Sequence, residues 1–137
     1  MKKAYITGAT GAIGMALVGE LLKNRISTTV FLREDSGRNA RVKDSFSGEL
    51  ARGLLRIEYV SLEELSGYAL SRNTQDMKTY ASQDLLTKAA GGADTAVFYH
   101  LGWSGTFGEQ RNDADMQQKN VEYTLDAVRL AKRLGCV

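Results

Sequence analysis

Short apolar runs alternate with longer stretches of helical period along this chain of 137 residues. Lys3 to Thr7 (Lys-Ala-Tyr-Ile-Thr) reads as a buried first strand. From Ala12 to Asn24, Ile13, Ala16, Leu17, Leu21 and Leu22 recur at helical spacing. Thr28 to Leu32 is β-branched and aromatic, which predicts a second strand. A polar segment from Arg38 to Phe46 predicts a short helix, and Leu54 to Val60 a third strand. Leu62 to Leu65 predicts one helical turn, whereas Ser66 to Tyr80 has little periodicity and reads as a surface excursion. Ser82 to Ala90 predicts a helix with Ser82 as N-cap and Gly91-Gly92 as its stop. Ala93 to Leu101 is the fourth strand, followed by a glycine-rich loop over 102–108. A long helix is expected from Asp113 to Leu134, with Val121, Leu125, Val128 and Ala131 along one stripe and Gly135 ending it.

Strands that alternate with helices pair in parallel through right-handed crossovers. Strands 1 and 4 are almost continuously apolar, as befits a sheet covered on both faces. The fold class expected is therefore α/β: a Rossmann-type doubly wound parallel sheet of strand order 3-2-1-4, one domain over residues 1–137. Its ligand crevice lies where the order reverses, beside strands 1 and 4. A net charge of +2, spread rather than striped, gives no footprint for nucleic acid. One cysteine, Cys136, excludes an internal disulfide framework and fits a reducing compartment. One histidine, His100, makes a histidine-built zinc site implausible, and no metal site is assigned. The N-terminal apolar stretch is broken by Thr7, Gly8, Thr10 and Gly11, unlike a secretion signal. No run approaches the ~20 apolar residues of a membrane span. The expected location is the cytoplasm.

The candidate chemistry begins directly after the first strand, at Thr7-Gly8-Ala9-Thr10-Gly11-Ala12-Ile13-Gly14. Gly8 permits a tight turn, Gly11 leaves room for a pyrophosphate against the backbone, and Gly14 lets the helix pack on the sheet. Thr10, Ala12 and Ile13 complete the loop, whose helix start offers unpaired N–H groups to an anion. Spaced glycines also serve simple chain reversal, but here a strand precedes them, an amphipathic helix follows, and a second strand lies at the proper distance. The end of that second strand reads the ribose: an acid accepts from the 2′-hydroxyl of NAD, an arginine accommodates the 2′-phosphate of NADP. Leu32-Arg33-Glu34-Asp35-Ser36 puts Arg33 in the slot, with Ser36 and Arg38 close by. A one-residue shift puts Glu34 there instead, and the bland alternative is a set of solvated loop charges. Because the arginine comes first after the apolar run, the cofactor expected is NAD(P), with NADP favoured over NAD.

These residues carry a family resemblance. Residues 7–14 resemble the Thr-Gly-x-x-Gly-x-x-Gly signature of the extended short-chain dehydrogenases/reductases, which include sugar-nucleotide epimerases and dehydratases. Phe98-Tyr99-His100-Leu101-Gly102-Trp103 resembles their strand-4 motif, and Lys119-Asn120-Val121-Glu122-Tyr123-Thr124 their following helix. The likeness covers residues 3–137 apart from about 66–82. It implies that Leu101, Gly102 and Trp103 line the ribose and nicotinamide side, and that Asn120 ties the helix to strand 4. Ser61 stands where the family has an Asp for the adenine amino group, so adenine recognition would rest on backbone near Leu62. Trp103 replaces a small residue, and Tyr123 a glycine. His100 reads as a structural residue at a strand end, since it has no partner for acid–base work.

In that family the chemistry depends on a tyrosine with a lysine four residues on. Four residues after Tyr5, Tyr59, Tyr68, Tyr80, Tyr99 and Tyr123 stand Ala9, Glu63, Arg72, Asp84, Trp103 and Ala127. No catalytic residue is assigned. The resemblance then implies the cofactor-binding N-terminal part of an enzyme acting on a nucleotide sugar or a related hydroxyl or carbonyl substrate, truncated before strand 5 and inactive by itself. That reading expects an uncovered apolar face on the last helix, and self-association through it. The alternative is a non-catalytic dinucleotide-binding regulatory module complete at this length. A methyltransferase is disfavoured, because the loop does not read Gly-x-Gly-x-Gly.

Overall fold

A computed structural model describes residues 1–71 and 95–137. Its sheet holds four parallel strands in the order β3-β2-β1-β4, the arrangement expected from the alternating pattern. The strands are β1 (Lys3–Thr7), β2 (Ser27–Leu32), β3 (Leu55–Tyr59) and β4 (Ala96–His100). The helices are α1 (Ala12–Lys23), α2 (Asn39–Ser45), α3 (Ser47–Ala51), α4 (Leu65–Ser71) and α5 (Ala114–Arg133). Two 3₁₀ turns, Leu62–Glu64 and Gly108–Asn112, lead into α4 and α5.

The period of two in the strands divides the core. Ala4, Ile6, Val30, Leu32 and Leu55 meet Val18, Leu21, Leu22 and Val42 from α1 and α2. On the opposite face, Phe31, Tyr5 and Phe98 pack with Leu65, Tyr68, Ala127 and Leu130 of α4 and α5. Phe31 receives the edge of Tyr68 at a centroid distance of 5.5 Å. In register, Thr7 of β1 stands beside Phe31 of β2 and His100 of β4, so these three strands end together at one edge of the sheet. A crevice at that edge follows from the register.

One feature differs from the sequence expectation. The segment after Leu65 is not an excursion from the outset: α4 runs to Ser71, and Leu65 is fully buried. The helical signal there is weak because α4 is a short helix held by tertiary burial rather than by a repeated stripe. The helix expected at 82–90 and the remainder of the expected excursion lie outside the described residues. On α5, the stripe of Val121, Leu125 and Val128 faces outward at 55%, 50% and 61% exposure. The face it turns to the sheet carries Asn120, Ala127 and Leu130. Periodicity identified the helix, and this stripe is the uncovered apolar face expected on it.

After α5, Gly135 adopts φ +72 and the chain turns back to the sheet. Cys136 forms a parallel bridge with Ala96, and the Val137 N–H donates to the Ala96 carbonyl at 3.1 Å. Burial pushes the Cys136 thiol up to about 11.

Because Leu65 has no exposed surface, Leu65→Ala should cost about 2–5 kcal/mol of stability. Urea unfolding checks this: a midpoint unchanged from wild type would mean that α4 is not packed on the core.

Candidate functional site: a nucleotide-sized crevice at the strand ends

The crevice is built first by backbone. Gly8 leaves β1 at φ +74, where a side chain is strained. A Cβ there would stand 2.5 Å from the Leu101 carbonyl carbon and 2.7 Å from the Gly102 nitrogen. A Cβ on Gly14 would collide with the Gly8 carbonyl oxygen and lie 2.7 Å from the Ala9 Cα. These two glycines are required by the protein's own packing. Gly11 is different: its φ is −75, and a Cβ would meet only the Gly8 oxygen, at an ordinary 3.5 Å. Nothing in the fold demands glycine there, yet it lines the crevice beside the start of α1.

Helix α1 begins at Gly11 with no side-chain cap and no acid in its first turn. Its first N–H groups and the positive end of its dipole are thus left to whatever enters the crevice. By contrast, the Asp113 carboxylate caps α5 by accepting from the Asp115 and Met116 N–H groups at 3.0 and 3.2 Å.

The cavity encloses about 900 Å³ and runs between two chemically distinct ends. At one end Arg33, Ser36 and Arg38 line it, and Glu34 and Asp35 do not. Strand β2 ends at Leu32, so Arg33 is the first residue beyond it and Glu34 the second. Asp35 holds the Arg33 Nε at 2.6 Å, with both side chains largely in water. The loop owes its shape to Asn39, whose amide Nδ2 donates to the Arg33 and Glu34 carbonyls at 2.8 and 3.2 Å. Sequence reasoning missed Asn39; a polar residue inside a short helix gives no signal until its burial is known.

Along the floor, Ser61 and Leu62 line the cavity. The Ser61 hydroxyl is spent on a capping box: it accepts from the Glu64 N–H, while Ser61 N–H donates to Glu64 Oε2 at 2.8 Å. That bonding holds the Glu64 carboxyl below the usual carboxylate range. Ser61 therefore does not reproduce an acid aimed at a base. Leu62 closes on Gly102, where an added Cβ would meet Leu62 Cδ2 at 2.8 Å.

At the other end stand Leu101, Gly102 and Trp103, joined by Thr106 and Phe107, which the sequence did not single out. Trp103 is 49% exposed and Phe107 80%. Thr7 pins this wall: its Oγ1 accepts from the Gly102 N–H at 3.2 Å and shares a hydrogen bond with His100 Nδ1 at 2.8 Å. Asn120, fully buried, accepts from the Ser104 N–H at 2.9 Å and donates to the Ser104 carbonyl at 2.8 Å. It ties α5 to the loop after β4. Of the loop residues expected to bind, Thr10 and Ala12 line the cavity with Gly8 and Gly11. Ile13 points away, 75% exposed, and Gly14 lies buried beneath the loop.

Among the described residues no three His, Cys, Asp or Glu side chains gather as a metal site, and no helix is long and apolar enough to cross a membrane. Parallel order, an uncapped helix at a glycine turn and a crevice at the reversal point define a Rossmann-type α/β domain. The NAD dependent epimerase/dehydratase family model matches residues 4–137, and the chain belongs to that family. Membership implies an NAD(P) cofactor. No curated protein sequence matches the chain. The residues present fit such a group, since the empty Cβ position at Gly11 and the free amides of α1 together make a cradle for an anion.

His100 has a further consequence. Its Nε2 is buried without a hydrogen-bond partner among the described residues, and burial lowers its pKa below the ordinary 6.5. The unfolded chain then binds the proton more tightly than the folded one. Stability should be fully present above about pH 6.5 and fall as the pH drops through the folded value. In His100→Gln this part of the acid sensitivity should vanish from a pH series of thermal midpoints; an unchanged profile would show that His100 is not the group responsible.

Proposed function

We propose that this chain is the cofactor-holding portion of an NAD(P)-dependent epimerase, dehydratase or reductase. The observation that carries the reading is Gly11: a glycine that the fold does not need, in the wall of the crevice, at the open end of α1. Its missing side chain makes room for a pyrophosphate against the backbone. Arg33, with Ser36 and Arg38, then meets the ribose at the end of β2, and these bases favour the 2′-phosphate of NADP over the free hydroxyl of NAD. Ser61 offers no carboxylate to adenine, so backbone near Leu62 takes that part. Leu101, Gly102 and Trp103 are left for the nicotinamide side.

When bound, the nicotinamide supplies a hydride acceptor or donor. This chain's own residues contribute binding and orientation: α1 neutralises the pyrophosphate, Thr7 and Asn120 hold the nicotinamide wall, and Leu62 closes the floor. No tyrosine of this chain has a lysine four residues on, so it carries no proton-transferring group of the family's kind and is inactive by itself. The substrate of the whole enzyme is a nucleotide sugar or a related hydroxyl or carbonyl compound, in a cytoplasmic setting. The outward apolar stripe on α5 supports a reading in which a second copy of the chain covers this face. The lack of a catalytic tyrosine equally favours a second reading, a dinucleotide-binding regulatory module.

Two measurements test the proposal. Trp103 is the only tryptophan and lines the crevice, so titration with NADPH should quench its emission and sensitise that of the reduced ring. An emission indifferent to both NADPH and NADH would contradict it. Arg33→Ala should weaken NADP⁺ binding about tenfold more than NAD⁺ binding, the loss of one charge-assisted hydrogen bond. Equal effects on the two coenzymes in calorimetry would remove the NADP preference.

A further inference from the structure

The indole of Trp103 is placed before any ligand arrives. Its Nε1–H donates to Gln117 Oε1 at 2.9 Å, and Gln117 Nε2 in turn donates to the Gln110 carbonyl at 3.2 Å. The next residue, Ser104, is clamped by Asn120, which also reaches Gln117 Oε1 at 3.3 Å. Gly105, at φ +67, is packed so closely that a Cβ would stand 2.8 Å from Met116 Cγ and 3.0 Å from the Gln110 oxygen. The loop is therefore fixed to the start of α5 by side-chain amides and by close backbone approach. The one polar group of the indole is engaged by Gln117, so Trp103 lines the crevice with an aromatic ring that has no further donor to offer.

The charge around it is also distinctive. The residues lining this end are Leu101, Gly102, Trp103, Ser104, Thr106 and Phe107, and none of them is ionisable. The acid in the lining is Glu63, which follows β3 and accepts from the Tyr123 hydroxyl at 3.1 Å. Among the described lining residues the one carboxylate a cation could meet is Glu63, beside the Leu62 that closes on Gly102, and it is already engaged by Tyr123. The negative face of an indole is the available counterpart.

Resting on the functional reading above, which sends the nicotinamide to this end, we infer that Trp103 makes the crevice discriminate between the oxidation states of its cofactor. The oxidised nicotinamide ring is a pyridinium cation; the reduced ring is neutral. An aromatic face attracts the first by its quadrupole and the second by dispersion alone. For a half-exposed indole the difference amounts to about two- to fivefold in relative affinity, in favour of the oxidised form. Gln117 and Asn120 are positioning residues for this effect, because they set the ring without touching the cofactor.

Calorimetric dissociation constants for NADP⁺, NADPH, NAD⁺ and NADH, measured on the wild-type chain, Trp103→Phe and Trp103→Leu, test the inference. ADP-ribose, which lacks the nicotinamide, serves as control for fold and for the rest of the crevice. Expected is a two- to fivefold fall in the reduced-to-oxidised ratio of dissociation constants in Trp103→Leu, a smaller fall in Trp103→Phe, and unchanged ADP-ribose binding in both. A ratio that stays constant overturns the inference, whether both forms weaken together or neither does. If the wild-type chain binds ADP-ribose and the dinucleotides, only this inference falls; if it binds none of them, the functional reading falls with it.

Discussion

The close approach of two backbones at the ends of β1 and β4 is the constraint on which the rest depends. Gly8 lies against the Leu101–Gly102 peptide, and Gly14 lies against Gly8 and Ala9. A methyl group at either position would push α1 off the sheet or part β1 from the end of β4. With both absent, α1 starts at the sheet edge, its free amides face the crevice, and the loop after β4 becomes the opposite wall. Thr7 adds the polar link, bonding Gly102 and His100 across the same junction. Sheet order, helix entry and cavity shape therefore have a common origin in a few cubic ångströms of missing side chain.

That origin also explains why so much of the architecture was legible in the residues. Glycines at 8, 11 and 14 between an apolar run and a helical stripe specify a strand, a turn and a helix at once. The alternation of strands with helices, and the almost continuously apolar strands 1 and 4, specify parallel order. What was not legible depends on tertiary burial. Helix α4 is short and is held by Leu65 beneath it, which no local pattern announces. Asn39 is a structural strut because its amide reaches back to the Arg33 and Glu34 carbonyls, a contact made by the turn's geometry. On α5 the periodicity marked the helix and its uncovered apolar stripe, but not the residue that anchors the opposite face. Asn120 takes the inward position because its amide satisfies both backbone groups of Ser104, and the valines and leucine at 121, 125 and 128 are left in water.

The candidate site divides labour by chemistry along its length. Its basic end is a pair of exposed side chains, Arg33 and Arg38, the first of them paired with Asp35. Its aromatic end is the reverse: Trp103 and the loop behind it are fixed through Gln117 and Asn120, with no charge among the lining residues. The middle contributes backbone alone. A long, narrow, mixed ligand with an anionic centre matches that sequence of environments, and the family to which the chain belongs uses such a ligand. Proton transfer is a separate matter, since the described residues of the crevice walls include no tyrosine paired with a lysine.

The most direct test of this account is the amide spectrum of the ¹⁵N-labelled chain during addition of NADP⁺. The N–H resonances of Gly11 to Gly14 should shift most, with those of Arg33 to Arg38 and Leu101 to Ser104 moving along the same binding curve. Saturable shifts confined to other parts of the surface, or none at all, would contradict it.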